Sequence, residues 1–248
     1  MAAAPTMTPA SPPPPLDVTS PGSTVTRSGA MPHDPVTLRE ETLRRVAALA
    51  FPHPPAHYPV LWESEEGYRL RSGHEIAARA AILNVVIGCT YGLPVELGLL
   101  WLQRNGLVPL LTNAERDFLG MGDGAPEWFR LQTEGLWALI WVLGLADHID
   151  PNRYCGESLK TLVPDVAKDE PLTEWVQRIR ERPADDVMAQ LDLHFCLTWG
   201  LADANLSRKR APGAVDQYVL WERRRALEWV IVERGYSVTD WDDIALST

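Results

Sequence analysis

The chain has 248 residues, of which 46% are hydrophobic and 23% are charged, a composition typical of a globular protein with a substantial core. Its 33 acidic and 23 basic side chains give a formal net charge of −10 at pH 7. This balance argues against sequence-independent binding to nucleic acid or to an anionic membrane surface, because both need an excess of basic side chains.

The cysteines and the longest apolar run indicate a cytoplasmic protein. Cys89, Cys155 and Cys196 form neither a CxxC motif nor an even-numbered disulfide framework. The N-terminus has no basic region followed by an apolar one, as a secretory signal would. The longest uncharged apolar run, 135–146, is shorter than the roughly 20 residues of a membrane span.

The first 35 residues are predicted to be a disordered tail. They contain nine of the 21 prolines and no aromatic residue, and their charged side chains are Asp17, Arg27 and Asp34. Such a segment cannot bury enough apolar area to offset the entropy that it would lose on ordering.

The remaining chain, 36–248, is predicted to be a single all-α domain. Two helices begin with capping boxes, Ser72-Gly-His-Glu75 and Thr112-Asn-Ala-Glu115. No segment alternates with period two for long enough to be a strand, and we expect about seven to nine helices packed around a central apolar helix, 126–145. The predicted helices cover 36–50, 72–91, 94–105, 112–120, 126–145, 171–181, 184–206 and 213–234.

Arg223 is the charged residue for which helical geometry most clearly predicts burial. At 100° per residue it lies in the middle of the apolar face of helix 213–234, whereas Arg224 and Arg225 are expected to point to solvent. A guanidinium on a packed face needs a carboxylate partner, because a lone buried charge is costly. We rank the candidate partners from other helices in the order Glu134, Asp203, Asp192.

Two interpretations of these polar groups remain open. Glu134, Arg223 and either Asp192 or Asp203 can form a structural ion-pair network that sets helix register. Alternatively, they can form a polar ligand pocket walled by Trp137, Trp141 and Trp199. Asp192 and Asp203 cannot act as a catalytic pair with each other, since eleven residues of helix separate them by about 16 Å.

Motifs that would indicate a metal or cofactor are missing from the sequence. It contains no HExxH, no Glu-x-x-His pair, no GxSxG and no phosphate-binding glycine loop. His194 falls on the less apolar side of its helix, so we expect it to be partly exposed. The sequence therefore predicts no metal and no cofactor.

Several segments together resemble a mainly bacterial family catalogued as Domain of Unknown Function number 4272. Their order and spacing carry the resemblance over roughly 60–245. The resemblance implies a helical fold. It implies no activity, cofactor or catalytic residue for this chain. The matching pieces are 68–72, 74–80, 111–115 with 118–119, 134–144, 191–199, 203–206, 222–229 and 240–243.

The absence of catalytic motifs favours a non-enzymatic interaction or regulatory module that binds another protein. The acidic surface leads us to expect a basic protein partner. The alternative is an enzyme or small-molecule sensor that uses the Trp-lined polar pocket. A sizeable cavity where these groups converge would favour the sensor or enzyme, and polar groups closed on one another would favour the interaction module.

Overall fold

A computed structural model describes residues 34–62, 68–121, 126–232, 235–237 and 239–246. The predicted disordered tail, apart from its last two residues, lies outside these ranges. The prediction of an all-α fold is confirmed, since the described residues contain helices and a single isolated antiparallel bridge, Leu70–Ile231, rather than strands. No helix in the described part of the chain combines the length and apolarity that crossing a membrane requires.

Ten α-helices are present in the described ranges. They are α1 Pro35–Ala48, α2 Gly73–Thr90, α3 Val95–Arg104, α4 Asn113–Met121, α5 Pro126–Leu131, α6 Thr133–Val142, α7 Leu159–Leu162, α8 Leu172–Trp175, α9 Ala184–Leu206 and α10 Gln217–Val230. Short 3₁₀ turns are found at Val108–Leu110, Val166–Lys168, Val176–Arg178 and Asp240–Asp243.

Both predicted capping boxes are formed. At the start of α2, the Ser72 hydroxyl accepts from the amide of Glu75, and the Glu75 carboxylate accepts from the amide of Ser72 at 3.0 Å. At the start of α4, the amide of Thr112 donates to Glu115 at 2.8 Å, and the Thr112 hydroxyl accepts from the amide of Glu115 at 3.2 Å. These local sequences define where the two helices begin.

The central helix is α6, which packs against α2 and α10, while α9 packs between α1 and α10. Every residue from Glu134 to Val142 is buried, as expected of a helix that is apolar on all sides. The predicted continuous helix 126–145 is wrong in two details. It is interrupted at Gln132, and it ends at Val142 because Gly144 turns the chain with φ +71°.

The predicted bounds of α10 also need correction. The helix begins at Gln217 rather than at Gly213, which takes φ +94° in the preceding loop. It ends at Val230, where Ile231 becomes extended and forms the bridge to Leu70. α10 thus contacts α6, α9 and α5. Residues 233 and 234 of the predicted helix lie outside the described ranges.

The end of α6 is tied to the segment before α9. The backbone amides of Arg180 and Arg182 donate to the carbonyls of Leu143 and Val142 at 3.0 and 2.9 Å. The Arg182 guanidinium donates to the Trp141 carbonyl at 2.9 Å and stacks 4.6 Å from the Trp141 ring centroid. A cation at a helix C-terminus also interacts favourably with the helix dipole.

We expect Gly144→Ala to destabilise the protein more than Gly92→Ala. Both glycines follow a helix end with positive φ, which costs an L-residue roughly 1–2 kcal/mol. A Cβ at position 144 would also lie 1.8 Å from the Arg180 carbonyl oxygen, whereas a Cβ at position 92 meets nothing within 4 Å. Urea unfolding should therefore give a loss at least about 1 kcal/mol larger for Gly144→Ala. Equal losses would show that the 180–182 segment does not pack against α6 in solution.

Candidate functional site

Arg223 forms the buried ion pair that its position on α10 predicts. The residue is 0% exposed, and its Nε and Nη2 donate to Glu134 Oε2 of α6 at 3.0 and 2.8 Å. Glu134, ranked first among the candidate partners, is therefore confirmed as the partner.

Backbone groups of one loop supply further hydrogen-bond partners for this pair. Arg223 Nη1 donates to the Asp150 carbonyl at 2.6 Å, and Nη2 donates to the Arg153 carbonyl at 2.7 Å. The second Glu134 oxygen accepts from the amide of Cys155 at 2.9 Å. The pair thus joins α6, α10 and the 150–155 loop, and its polar atoms face protein groups rather than an open cavity.

Asp192 belongs to a separate buried pair with α1. Arg39 Nη2 donates to Asp192 Oδ1 at 2.7 Å, and Arg39 Nε lies 3.1 Å from both carboxylate oxygens. Arg39 also donates to the Pro59 carbonyl at 2.9 Å, which ties the 51–62 connector to the helices. Asp192 is therefore not a partner of Arg223.

The expectation that Arg224 and Arg225 point to solvent is wrong. Arg224 is 1% exposed, donates to the Thr198 hydroxyl at 2.9 Å and lies 4.6 Å from the Phe195 ring centroid. Arg225 is 7% exposed and pairs with Glu222. Neighbouring helices cover α10 on several sides, so its polar face is packed as well.

Asp203, the remaining acidic candidate, lies in an open cleft between the ends of α1 and α9. We call this the α1–α9 cleft, which has a volume of about 530 Å³. It forms where Arg208, in the left-handed conformation with φ +53°, turns the chain after α9. Its lining residues are Ala47, Ala50, Phe51, Pro52, His53, Asp203, Ala204, Lys209, Arg210 and Pro212.

The three tryptophans of the predicted pocket have different surroundings. Trp137 and Trp141 are buried in α6, with Arg182 stacked on Trp141. Trp199 lies 6.1 Å from Tyr58 of the connector, measured between ring centroids. Of the predicted site residues, the structure brings Glu134 and Arg223 together, and it places Asp192, Asp203 and Trp199 in other contacts. Ligand binding by this set stays a prediction.

His194 is fully buried, so the expectation of a partly exposed side chain is wrong. Its Nδ1 lies 2.8 Å from the Gln190 carbonyl, and burial lowers the pKa of its imidazole to about 3, with Arg223, Arg45 and Arg224 adding to the shift. Both α1 and α10 pack on α9. Together they bury the side of α9 that is less apolar in sequence.

The thiols are poorly suited to nucleophilic chemistry. Burial raises the pKa of Cys155 and of Cys196 to about 12, and the negative charge of Glu134 adds to the shift at Cys155. Burial likewise raises the pKa of Cys89 to about 11. In the described part of the chain, no cluster of three His, Cys, Asp or Glu side chains could hold a metal ion.

Sequence reasoning missed several charged groups that the fold buries. Arg39 was one of them, and Arg79 of α2 is another, since it pairs with Glu115 of α4 with both side chains 0% exposed. The Glu115 carboxylate was recognised only as part of a capping box. The one available signal was Arg79 itself, a charged residue inside the otherwise apolar run from Ile76 to Leu83.

We expect Arg223→Ala to destabilise the protein by about 3–5 kcal/mol, because it leaves the Glu134 charge buried without its cation. Arg153→Ala is the matched control, since the Arg153 side chain is 78% exposed and the bond to Arg223 uses its backbone carbonyl. That control should change stability by no more than about 0.5 kcal/mol. Urea unfolding followed by tryptophan fluorescence measures both, and similar losses would contradict the proposed importance of the pair.

His194 should make the protein less stable in acid. With an ordinary pKa near 6.5 in the unfolded chain and about 3 in the folded one, it takes up a proton on unfolding throughout that window. Its contribution is present above pH 6.5 and is lost, by up to about 1.4 kcal/mol per pH unit, as the pH falls towards 3. The stability difference between wild type and His194→Gln should shrink accordingly between pH 6 and 4.5. A constant difference would show that the imidazole titrates normally.

The sequence comparison identifies a family. The family model described as "Domain of unknown function (DUF4272)" matches residues 39–244. No curated protein and no solved structure matches the chain. The match covers well over half of the chain, from the buried Arg39 of α1 to the buried Ile244 after the last 3₁₀ turn. The protein therefore belongs to the family named Domain of unknown function (DUF4272).

Proposed function

We propose that this chain is a non-enzymatic module that binds a segment of another protein in the cytoplasm. The observation that supports the proposal is that the polar groups of the predicted pocket bond to protein groups. Glu134 and Arg223 bond to each other and to the 150–155 loop, and Asp192 bonds to Arg39. A ligand at Glu134 would have to break a buried ion pair before it could bind, so an enzyme or sensor at this site is the less favoured alternative.

The α1–α9 cleft offers a better docking surface, because it is open to solvent. Phe51 and Ala204 are buried residues of its lining, while Pro52 is exposed beside them. These three residues give the cleft an apolar wall that could accept a side chain of a partner.

The charge of the cleft favours an acidic segment. Lys209 and Arg210 are exposed, and among the described residues neither has an ion-pair partner. His53 is also exposed, and Asp203 is the one acidic side chain in the lining. A segment that carries carboxylates next to an apolar side chain would complement both features. The earlier expectation of a basic partner rests on the net charge of the whole chain and stays a prediction.

A peptide selection tests this proposal. A random peptide library displayed on phage is selected on the wild-type chain and counter-selected on the double variant Lys209→Glu/Arg210→Glu. We expect the enriched peptides to combine Asp or Glu with apolar residues. Synthetic copies should bind the double variant at least about tenfold more weakly in fluorescence anisotropy, equivalent to about 1.4 kcal/mol.

The matched control is Arg116→Glu/Lys160→Glu, which makes the same change in charge at exposed positions outside the cleft. Its affinity for the selected peptides should remain close to that of the wild type. Peptides that bind all three proteins equally would refute docking at the cleft. Enrichment of basic peptides would instead favour a basic partner at another part of the surface.

A further inference from the structure

Near its C-terminus the chain inserts one indole into the helical body. We call residues 235–237 and 239–246 the C-terminal segment. Trp241, in the 3₁₀ turn Asp240–Asp243, is 0% exposed, whereas Ser237, Thr239 and Asp243 of the same segment are exposed. The segment thus lies at the surface with the side chains of Trp241 and Ile244 buried beneath it.

Three polar side chains border the buried indole of Trp241. The guanidinium carbons of Arg79 and Arg225 lie 5.5 and 5.2 Å from its ring centroid, and its Nε1 donates to Gln132 Oε1 at 3.0 Å. A Cβ at Gly135 would lie 3.3 Å from Trp241 Cζ2, so the bare backbone there makes room for the ring. The indole thus occupies a slot bordered by two cations, an amide and, edge-on at 5.7 Å between ring centroids, the ring of Trp229.

Several donors of this slot have no acceptor. In the described part of the chain, Arg79 Nε and Nη1, Arg225 Nε and Gln132 Nε2 are buried without a hydrogen-bond partner. The Nη2 groups of Arg79 and Arg225 pair with Glu115 and with Glu222. A buried donor without an acceptor costs free energy, and an indole ring offers no acceptor in its plane. Trp241 therefore fills the slot but leaves its donors unused.

We propose that this slot is a binding site for a planar aromatic molecule that carries a carboxylate, and that Trp241 occupies it as an intramolecular ligand. The ring of the ligand would replace the indole between the cations, and its carboxylate would accept from the unused guanidinium and amide donors. Because Trp241 is tethered beside the slot, a free ligand competes with it and displaces the C-terminal segment.

The full-length variant Trp241→Gly, probed with indole and with indole-3-acetate, tests the chemistry of the slot. Isothermal titration should show that indole-3-acetate binds at least about tenfold more tightly than indole, since hydrogen bonds to a charged group are the strong ones.

Trp175→Gly is the matched control. Trp175 is also 0% exposed, its Nε1 donates to the Leu162 carbonyl, and no guanidinium among the described residues stacks on it. There indole should bind at least as well as indole-3-acetate. The same order of affinities in both variants, as expected if water satisfies the unused donors, would overturn the proposal.

A second variant tests the displacement without removing a buried tryptophan. Ile244→Ser keeps Trp241 and the slot but weakens the segment at its other buried apolar residue. An excess of indole-3-acetate should accelerate hydrogen exchange of the backbone amides in 239–246. Adding Arg225→Met should abolish this acceleration, because it removes one of the cations that bind the carboxylate. Unchanged exchange in Ile244→Ser, or acceleration that survives Arg225→Met, would overturn the proposal.

Discussion

The buried pair of Arg223 and Glu134 is the interaction on which the arrangement of the central helices depends. It joins the middle of α10 to the first turn of α6, and through two carbonyls it holds the 150–155 loop against both helices. A charge buried this deeply has few acceptable positions, since sliding α10 by one residue would move the guanidinium away from its carboxylate. The pair therefore sets the register between the two helices, which apolar packing alone specifies less strictly.

Buried ion pairs between helices also occur elsewhere in the fold. Arg39 and Asp192 join α1 to α9, and Arg79 and Glu115 join α2 to α4. In each case an arginine from one helix reaches a carboxylate on another. Tryptophan and phenylalanine rings cover several of the guanidiniums, which lets the apolar core accept their charge and their long side chains. The buried carboxylates in the described ranges thus have a structural partner, and for this reason we look for function at the open α1–α9 cleft.

The capping boxes and the Arg223–Glu134 pair could be predicted because each follows from few residues. A capping box depends on four consecutive residues, and the pair follows from one charge on an apolar stripe. Arg224, Arg225 and His194 could not be placed in this way. A helical wheel ranks the faces of one helix, but α10 contacts α5, α6 and α9, and α9 contacts both α1 and α10. The side of a helix that looks polar in isolation is buried when another helix lies on it.

By itself the sequence determined the all-α class, the starts of α2 and α4, the bounds of α9 and the need for a carboxylate beside Arg223, because helical periodicity and capping are local. The tertiary structure decided which carboxylate each arginine meets. It paired Asp192 with Arg39, left Asp203 in the open cleft, and placed Trp241 among donors from α2, α10 and the junction between α5 and α6. These are contacts between residues as much as 162 positions apart, as between Arg79 and Trp241, and only the packing of whole helices brings such residues together.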